Sequence, residues 1–373
     1  MHDYYIGLMT GTSVDSLDAA LVQFSSNQQC SIIGTHSLTL PNNIRQQVKT
    51  LIRSGKGEID ALRSLDFAIA QHSCDAIKAV CLKSPISIND ILAVGSHGQT
   101  IRHYPTTKNH HGYTLQVGDP NIIAEITGIT TVADFRRRDI AAGGQGAPLA
   151  PAFHKAIFHS TQEDRIIINL GGIANITHLA KEGKVLGYDT GPANTLMDGW
   201  CWQHQKKHFD QDGRWAKSGT PSQELLTVML ADPYFAFSLP KSTGRERFNP
   251  VWLEECMNKI NTALATEDVQ ATLLELTAVT VSQEITKVDP ENQSSIYICG
   301  GGAHNSALLE KLAEHLQPRI VCTTNELGVD PDWVEALAFA WLAKQTMEHK
   351  HGNLPSVTGA NRDVILGGIY LGR

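Results

Sequence analysis

The chain has no lysine or arginine before Arg45. A secretory leader needs a basic start ahead of its apolar core, so none is expected. No apolar run approaches about 18 residues, so no membrane span is expected either. The seven cysteines, Cys30, Cys74, Cys81, Cys201, Cys256, Cys299 and Cys322, are odd in number and form no CxxC pair. They read as buried thiols of a reducing cytosol, not as a disulfide framework. There is no HExxH and no His/Cys set at ligand spacing, which argues against zinc. The Walker P-loop and the dinucleotide fingerprint are both missing, so a nucleotide site would have to be of another design. Cations are outnumbered: 31 Lys and Arg against 38 Asp and Glu, for a net charge of −7. No basic face is implied, and nucleic acid is not an expected partner.

What is present is a well-supplied core. Apolar residues make up 42% of 373 positions, which excludes global disorder. At about 150 residues per domain the length suggests two large domains. Strand-like and helix-like segments alternate. Tyr4–Met9, Asp18–Phe24, Ser31–Leu40 and Ile91–Val94 read as strands, and Asn42–Ser54 and Glu58–Leu82 as helices, the second with Ile59, Leu62, Ile69 and Ile77 among its apolar positions. The second half echoes the first. Arg165–Leu170 and Ile173–Thr177 flank Gly171-Gly172, helices follow at Ser222–Leu230, Val251–Ala263 and Val269–Lys287, and Ile296–Cys299 runs into Gly300-Gly301-Gly302. Ser306–His315 is a further helix. Asp330-Pro331 looks like an N-cap with proline at the first helical position of a helix reaching about His349. The expectation is an α/β protein of two domains with mixed sheets. The first domain would cover 1–130 plus a returning tail from about 350 to 373, and the second 131–349.

The 31 glycines gather in a few turns. In Gly11-Thr12-Ser13-Val14-Asp15-Ser16-Leu17-Asp18, a tight turn between strands collects N–H groups, and hydroxyls on Thr10, Thr12 and Ser13 suit phosphate oxygens. Asp15 and Asp18 would repel phosphate unless a cation intervenes, which makes Asp15 the candidate for Mg²⁺, with water between. A polar hairpin loop is the plain alternative. Gly171-Gly172 and Gly300-Gly301-Gly302 are further candidates for phosphate and nucleoside contact, and Gly143-Gly144-Gln145-Gly146 is a fourth cluster. Asp189, at a strand end in Asp189-Thr190-Gly191-Pro192, is the best candidate for a carboxylate that activates a nucleophile. An N-cap for a helix starting near Asn194 is its structural alternative. Arg136-Arg137-Arg138 cannot all face one way, but one or two could grip an anionic group. His97 stands at a strand end as a substrate contact or a hydrogen-bonded structural histidine. Glu335 is a first-turn carboxylate.

Taken in order, these stretches resemble the anhydro-N-acetylmuramic acid kinase family. The resemblance rests on residues 7–18, 95–100, 115–119, 133–139, 143–149, 169–175, 189–192, 242–246 and 299–305, which run through nearly the whole chain. It implies two ribonuclease H-like domains of the sugar kinase/actin superfamily, with mixed sheets flanked by helices and ATP in the cleft between them. It implies that Gly11 to Asp18 bind the ATP phosphates, that Gly171 and Gly172 assist, and that Gly300 to Gly302 lie near the nucleoside. Asp189 becomes the catalytic base, Arg137 or a neighbour meets the lactyl carboxylate of the sugar, and His97 and Glu335 are further sugar contacts. The implied cofactors are ATP and Mg²⁺, and the implied setting is cytoplasmic recycling of peptidoglycan by a homodimer. The implied reaction opens 1,6-anhydro-N-acetylmuramic acid with water and phosphorylates O6. A non-catalytic sugar sensor and a phosphohydrolase of the same superfamily are the competing readings. Two positions depart from the family pattern: Ser16 and Ala193 stand where glycine is usual. If Ser16 needs positive φ, it costs about 1 kcal/mol.

Overall fold

The computed structural model describes residues 3–11, 14–25, 30–52, 57–105, 111–239 and 241–373. Its contacts divide the chain into two compact units, Met1–Ile157 with Trp333–Arg373, and Phe158–Asp332.

In the first unit, β1 (Asp3–Thr10), β2 (Ser16–Phe24) and β3 (Cys30–Thr39) form an antiparallel meander. β4 (Ile91–Ser96) adds in parallel to β1, and β7 (Thr131–Ala133) in parallel to β4. A hairpin of β5 (Gln99–Tyr104) and β6 (Tyr113–Val117) sits between them in sequence as a separate small sheet, and β13 (Gly368–Tyr370) closes the edge beside β7. Helix Glu58–Leu82 supplies Cys74, Ile77 and Val80 to a core shared with Ile6, Leu8, Leu21 and Val94. Ile69 of that helix is buried in a second cluster with Val14, Leu40 and Val48. Ile59, read from periodicity as an apolar face position, is instead 83% exposed in the first turn. Side chains alternate along a strand. The direction a side chain would take from Gly7 is therefore opposite to that of Ile6, and there it meets helix Val334–Met347. The sheet is thus covered on both faces, which is why β1 is buried along most of its length.

The second unit repeats the plan. β8 (Arg165–Leu170), β9 (Ile173–Leu179) and β10 (Val185–Pro192) are an antiparallel meander, β11 (Ser295–Cys299) is parallel to β8, and β12 (Val321–Thr323) is parallel to β11. The strand order β10-β9-β8-β11-β12 matches β3-β2-β1-β4-β7 strand for strand and direction for direction. Both units therefore carry the ribonuclease H-like arrangement of a mixed sheet with helices. Helix Thr266–Val288 packs Leu273, Leu276, Val281 and Ile285 against Ile166, Ile168 and Leu170.

The boundaries differ from those expected from sequence. The first unit runs on to Ile157, and it passes residue 130 because β7 pairs with β4, a contact across more than thirty positions that local pattern does not reveal. The chain re-enters it at Trp333 and not near residue 350. Asp330-Pro331 does not start the last helix. Asp330 Oδ1 accepts from Asp332 N at 2.9 Å in a turn, and the helix begins at Val334. The helix expected over Val251–Ala263 spans only Pro250–Met257, capped by Asn249. Among the described residues no helix is long and apolar enough to cross a membrane.

Candidate active site

The second unit brings together the carboxylate and two of the glycine turns. Asp189 lies near the end of β10, where the pairing with β9 slips between Asp189 and Gly191. Such a bulge re-aims a side chain at a strand end. Helix Asn194–Gln205 begins after Ala193, and no side chain caps it. The N-cap role for Asp189 is therefore excluded. The N–H groups of Ala193 and Thr195 donate to Gly172 O at 3.0 and 3.1 Å, and Asn194 N donates to Gly171 O at 3.1 Å. The Gly171-Gly172 turn and the Asp-Thr-Gly-Pro turn are thus locked as one piece.

Asp189 Oδ2 accepts from Thr243 N at 3.0 Å, and the Tyr234 hydroxyl donates to Asp189 O at 2.6 Å. Burial pushes the Asp189 carboxyl up from 3.8 to about 7. The Thr243 amide and the charge of Lys241 oppose that rise, and Glu246 adds to it. Lys241 is itself buried. Its Nζ is 2.9 Å from Glu284 Oε1 and sits 5.0 Å from the centre of the Tyr234 ring. Glu284 also accepts from the Tyr188 hydroxyl at 3.0 Å and from Lys287 at 2.7 Å. Burial alone would raise Glu284, but the two lysines hold it below its ordinary value. It is an ionised anchor for Lys241. Tyr234, Lys241 and Glu284 were not singled out from sequence. The stretch 242–246 was the available signal for Lys241, and nothing local marks Tyr234 or Glu284.

Gly300 closes the strand end of β11 at φ 79°, and a Cβ there would lie 2.2 Å from Asn169 Oδ1. Glycine is required on both counts. Gly301, by contrast, has open space where a Cβ would stand, the kind of bare backbone on which a flat group can lie.

The first unit holds the other candidates. Thr12 and Ser13 lie outside the described residues. Thr10 does not offer its hydroxyl to a ligand as expected, since it donates to Gly98 O at 2.9 Å. Among the described residues of the first turn, Val14 is left-handed, at φ 59°. That conformation is an outlier for a β-branched side chain, and it is held by packing against Leu40, Ile44 and Val48. Gly11 O accepts from Val14 N at 3.2 Å. Ser16 and Leu17 open β2 opposite Thr39 and Leu38, so Ser16 carries no positive-φ cost. Asp15 Oδ1 meets Arg45 at 2.5 Å, while Asp18 Oδ1 accepts from Ser16 and Ser37 at 3.1 and 2.6 Å. Both carboxylates have protein partners.

His97 follows β4 and is buried against Phe339, ring centres 4.7 Å apart. Its Nε2 accepts from Arg136 Nε and Nη2 at 3.1 and 2.9 Å. Burial, and then Arg136, hold its pKa well below the ordinary value, so it is neutral. Within the arginine run the three residues separate. Arg138 is exposed. Arg137 is largely exposed and pairs with Asp134 at 2.6 Å. Arg136 is brought down to about 10 by burial, against the nearby charges of Glu335 and Asp139. Arg137, His97, Gly98, Gln116 and Tyr370 help line a hollow of about 120 Å³. Glu335 lies in the first turn of helix Val334–Met347, as the sequence suggested.

Asp139 organises this side and escaped the sequence reading. It is fully buried, and its carboxylate accepts from Gly146 N, Asn353 Nδ2 and Thr358 Oγ1 at 2.8, 2.8 and 2.7 Å. Gly146 O in turn accepts from Arg136 Nη1 at 2.8 Å. Removing one donor while Asn353 remains should be modest. Thr358→Val is expected to lower stability by about 1–2 kcal/mol, read as a lower urea midpoint, and an unchanged midpoint would contradict this role of the carboxylate.

The family model for anhydro-N-acetylmuramic acid kinase matches residues 3–372. The chain belongs to the anhydro-N-acetylmuramic acid kinase family. It is 48% identical over 367 residues to the anhydro-N-acetylmuramic acid kinase of Saccharophagus degradans, covering 98% of each chain. It is also 48% identical over 370 residues to that of Coxiella burnetii, covering 99% of this chain and 97% of the relative. Among solved structures it aligns with the Acidaminococcus fermentans (R)-2-hydroxyglutaryl-CoA dehydratase component A, at TM-score 0.47 and 12% identity over 91% of this chain and 96% of the other.

Proposed function

We propose that the chain opens 1,6-anhydro-N-acetylmuramic acid with water and transfers the γ-phosphoryl group of ATP to O6, giving N-acetylmuramic acid 6-phosphate and ADP. The observation that carries the reading is Asp189: a carboxyl on a bulged strand end, raised to about 7 and fixed by Thr243 N and Tyr234. A general base works best when its pKa lies near the working pH. In this reading Asp189 takes a proton from water as the water oxygen bonds to the anomeric carbon. The bond from that carbon to O6 breaks, and O6 forms a bond to the γ-phosphorus as ADP leaves. Ring opening supplies the acceptor oxygen in place, so no sugar hydroxyl has to be deprotonated.

The turn from Gly11 to Asp18, with Gly171 and Gly172, is assigned to the phosphates, and Gly300 to Gly302 to the nucleoside. Arg137 is assigned to the lactyl carboxylate, because its guanidinium is exposed on the hollow that His97 also lines. Arg136 lies behind it against His97, and Glu335 is a further sugar contact. Mg²⁺ would accompany ATP and neutralise phosphate charge, with Asp15 reaching it through water because Arg45 holds one carboxylate oxygen. The proposed setting is peptidoglycan recycling in the cytoplasm, by a homodimer.

Incubation with Mg-ATP and the anhydro sugar is expected to yield ADP and the 6-phosphate in equal amounts. Ring opening without phosphate transfer would favour a hydrolase, release of inorganic phosphate a phosphohydrolase, and binding without turnover a sensor.

A further inference from the structure

We propose that the Thr243 hydroxyl is a second catalytic contact, holding the attacking water beside Asp189. The inference rests on the reaction proposed above.

Thr243 reaches Asp189 with its main chain: its N–H donates to Oδ2 at 3.0 Å. Its side chain is left over. Thr243 Oγ1 is buried and has no hydrogen-bond partner among the described residues. A buried hydroxyl without a partner is costly, and a water, an ion or a catalytic role is the usual account of one in a native protein. Asp189 is half-buried, and Oδ2 is the oxygen that the Thr243 amide meets. Thr243 thus presents an unmet buried hydroxyl beside the carboxylate that its own amide contacts, and a water there would meet it.

The loop that carries Thr243 is fixed on either side. Asp232 accepts from Arg247 Nε at 2.9 Å and Nη2 at 2.5 Å, and from Trp252 Nε1 at 2.9 Å. The Arg247 guanidinium lies 5.8 Å over the Tyr234 ring and 5.7 Å over that of Phe237. Tyr234 is tied to the Asp189 carbonyl, and Lys241 is buried on Glu284. A hydroxyl on so constrained a loop is oriented before substrate arrives, the condition under which a positioned donor accelerates a reaction.

A water at this point gives one proton to Asp189 and directs a lone pair at the anomeric carbon. Its remaining hydrogen-bond capacity fixes which lone pair that is, and Thr243 Oγ1 takes this contact. No proton moves to or from Thr243.

The test compares Thr243→Val and Thr243→Ser in the full chain. The valine variant keeps shape and amide but loses the hydroxyl, and it is expected to lose kcat by about a hundredfold, with ATP affinity and the KM for the anhydro sugar unchanged. The serine variant should retain most of kcat. The acid limb of the pH profile should stay in place in both, since threonine does not titrate in that range. Wild-type kcat in Thr243→Val would overturn the assignment. So would a displaced acid limb, which would mean that the substitution acts through the geometry of Asp189. Should Thr243→Val fail to bind ATP, Thr243→Ala replaces it with the same expected loss. A wild-type chain inactive on the anhydro sugar would instead sink the functional reading itself.

Discussion

Asp189→Asn is expected to lower kcat by about 10²–10⁴-fold and to leave ATP binding largely intact. The amide has nearly the shape of the carboxyl and can still accept from Thr243 N, but it cannot take a proton from water. Two pH effects accompany this. In the wild type the base works only when ionised, so kcat/KM should fall about tenfold per pH unit below a pKa near 7. Burial sets this limb, with the Thr243 amide and Lys241 acting against it and Glu246 acting with it. The second effect is on stability. The folded pKa lies above the unfolded one, so the folded state binds the proton more tightly, and stability falls as pH rises from about 4 towards about 7. The full cost above that range is at most about 4 kcal/mol. Asp189→Asn carries no such charge, so it should melt higher than the wild type at pH 8, with a smaller difference at pH 5. Normal turnover by this variant would remove Asp189 from the role of base. A melting difference independent of pH would show that its carboxyl is not raised.

What could be read from the sequence was the part governed by local rules. Glu58–Leu82 and Ser306–His315 were placed to the residue because periodicity and flanking signals agree there. The turns at 171–172 and 300–302 were legible because glycine at a strand end has few other uses. The rest depends on partners distant in sequence. Asp139 meets donors 214 and 219 positions away, and although it closes the stretch 133–139 nothing local says which donors it would hold. The three arginines are equivalent on paper. Only the placement of their helix buries Arg136 on His97 and leaves Arg137 outside. Asp330-Pro331 carried a genuine helix-start signal, but the same residues cap a turn equally well, and Pro331 O there accepts from Gly300 N at 2.9 Å. The first turn shows the same limit: Val14 takes positive φ while packed against Leu40 and Ile44, and nothing local marks it for that.

The largest stability losses are expected from two single methyl groups. In Gly7→Ala the new Cβ would stand 1.8 Å from Ala336 O and 2.7 Å from Ala340 N. In Gly95→Ala it would stand 2.0 Å from Phe339 O and 3.0 Å from Ala343 Cβ. The nearest obstacle is backbone in both cases, so no side-chain rotation relieves it. The helix Val334–Met347 would have to lift from β1 and β4. Ordinary overpacking costs about 1–3 kcal/mol, and a clash with backbone on two adjacent strands should exceed it, at about 4 kcal/mol or more. Activity should fall with it, because this helix carries Glu335 at its start and packs Phe339 against both His97 and Phe135. Gly34→Ala is the control. Its Cβ would meet Val80 Cγ2 at 3.6 Å, an ordinary contact, and the change should stay within about 1 kcal/mol. Urea unfolding of the three variants measures the difference. Midpoints for Gly7→Ala and Gly95→Ala as close to wild type as that of Gly34→Ala would mean that the helix does not lie against the sheet at this distance.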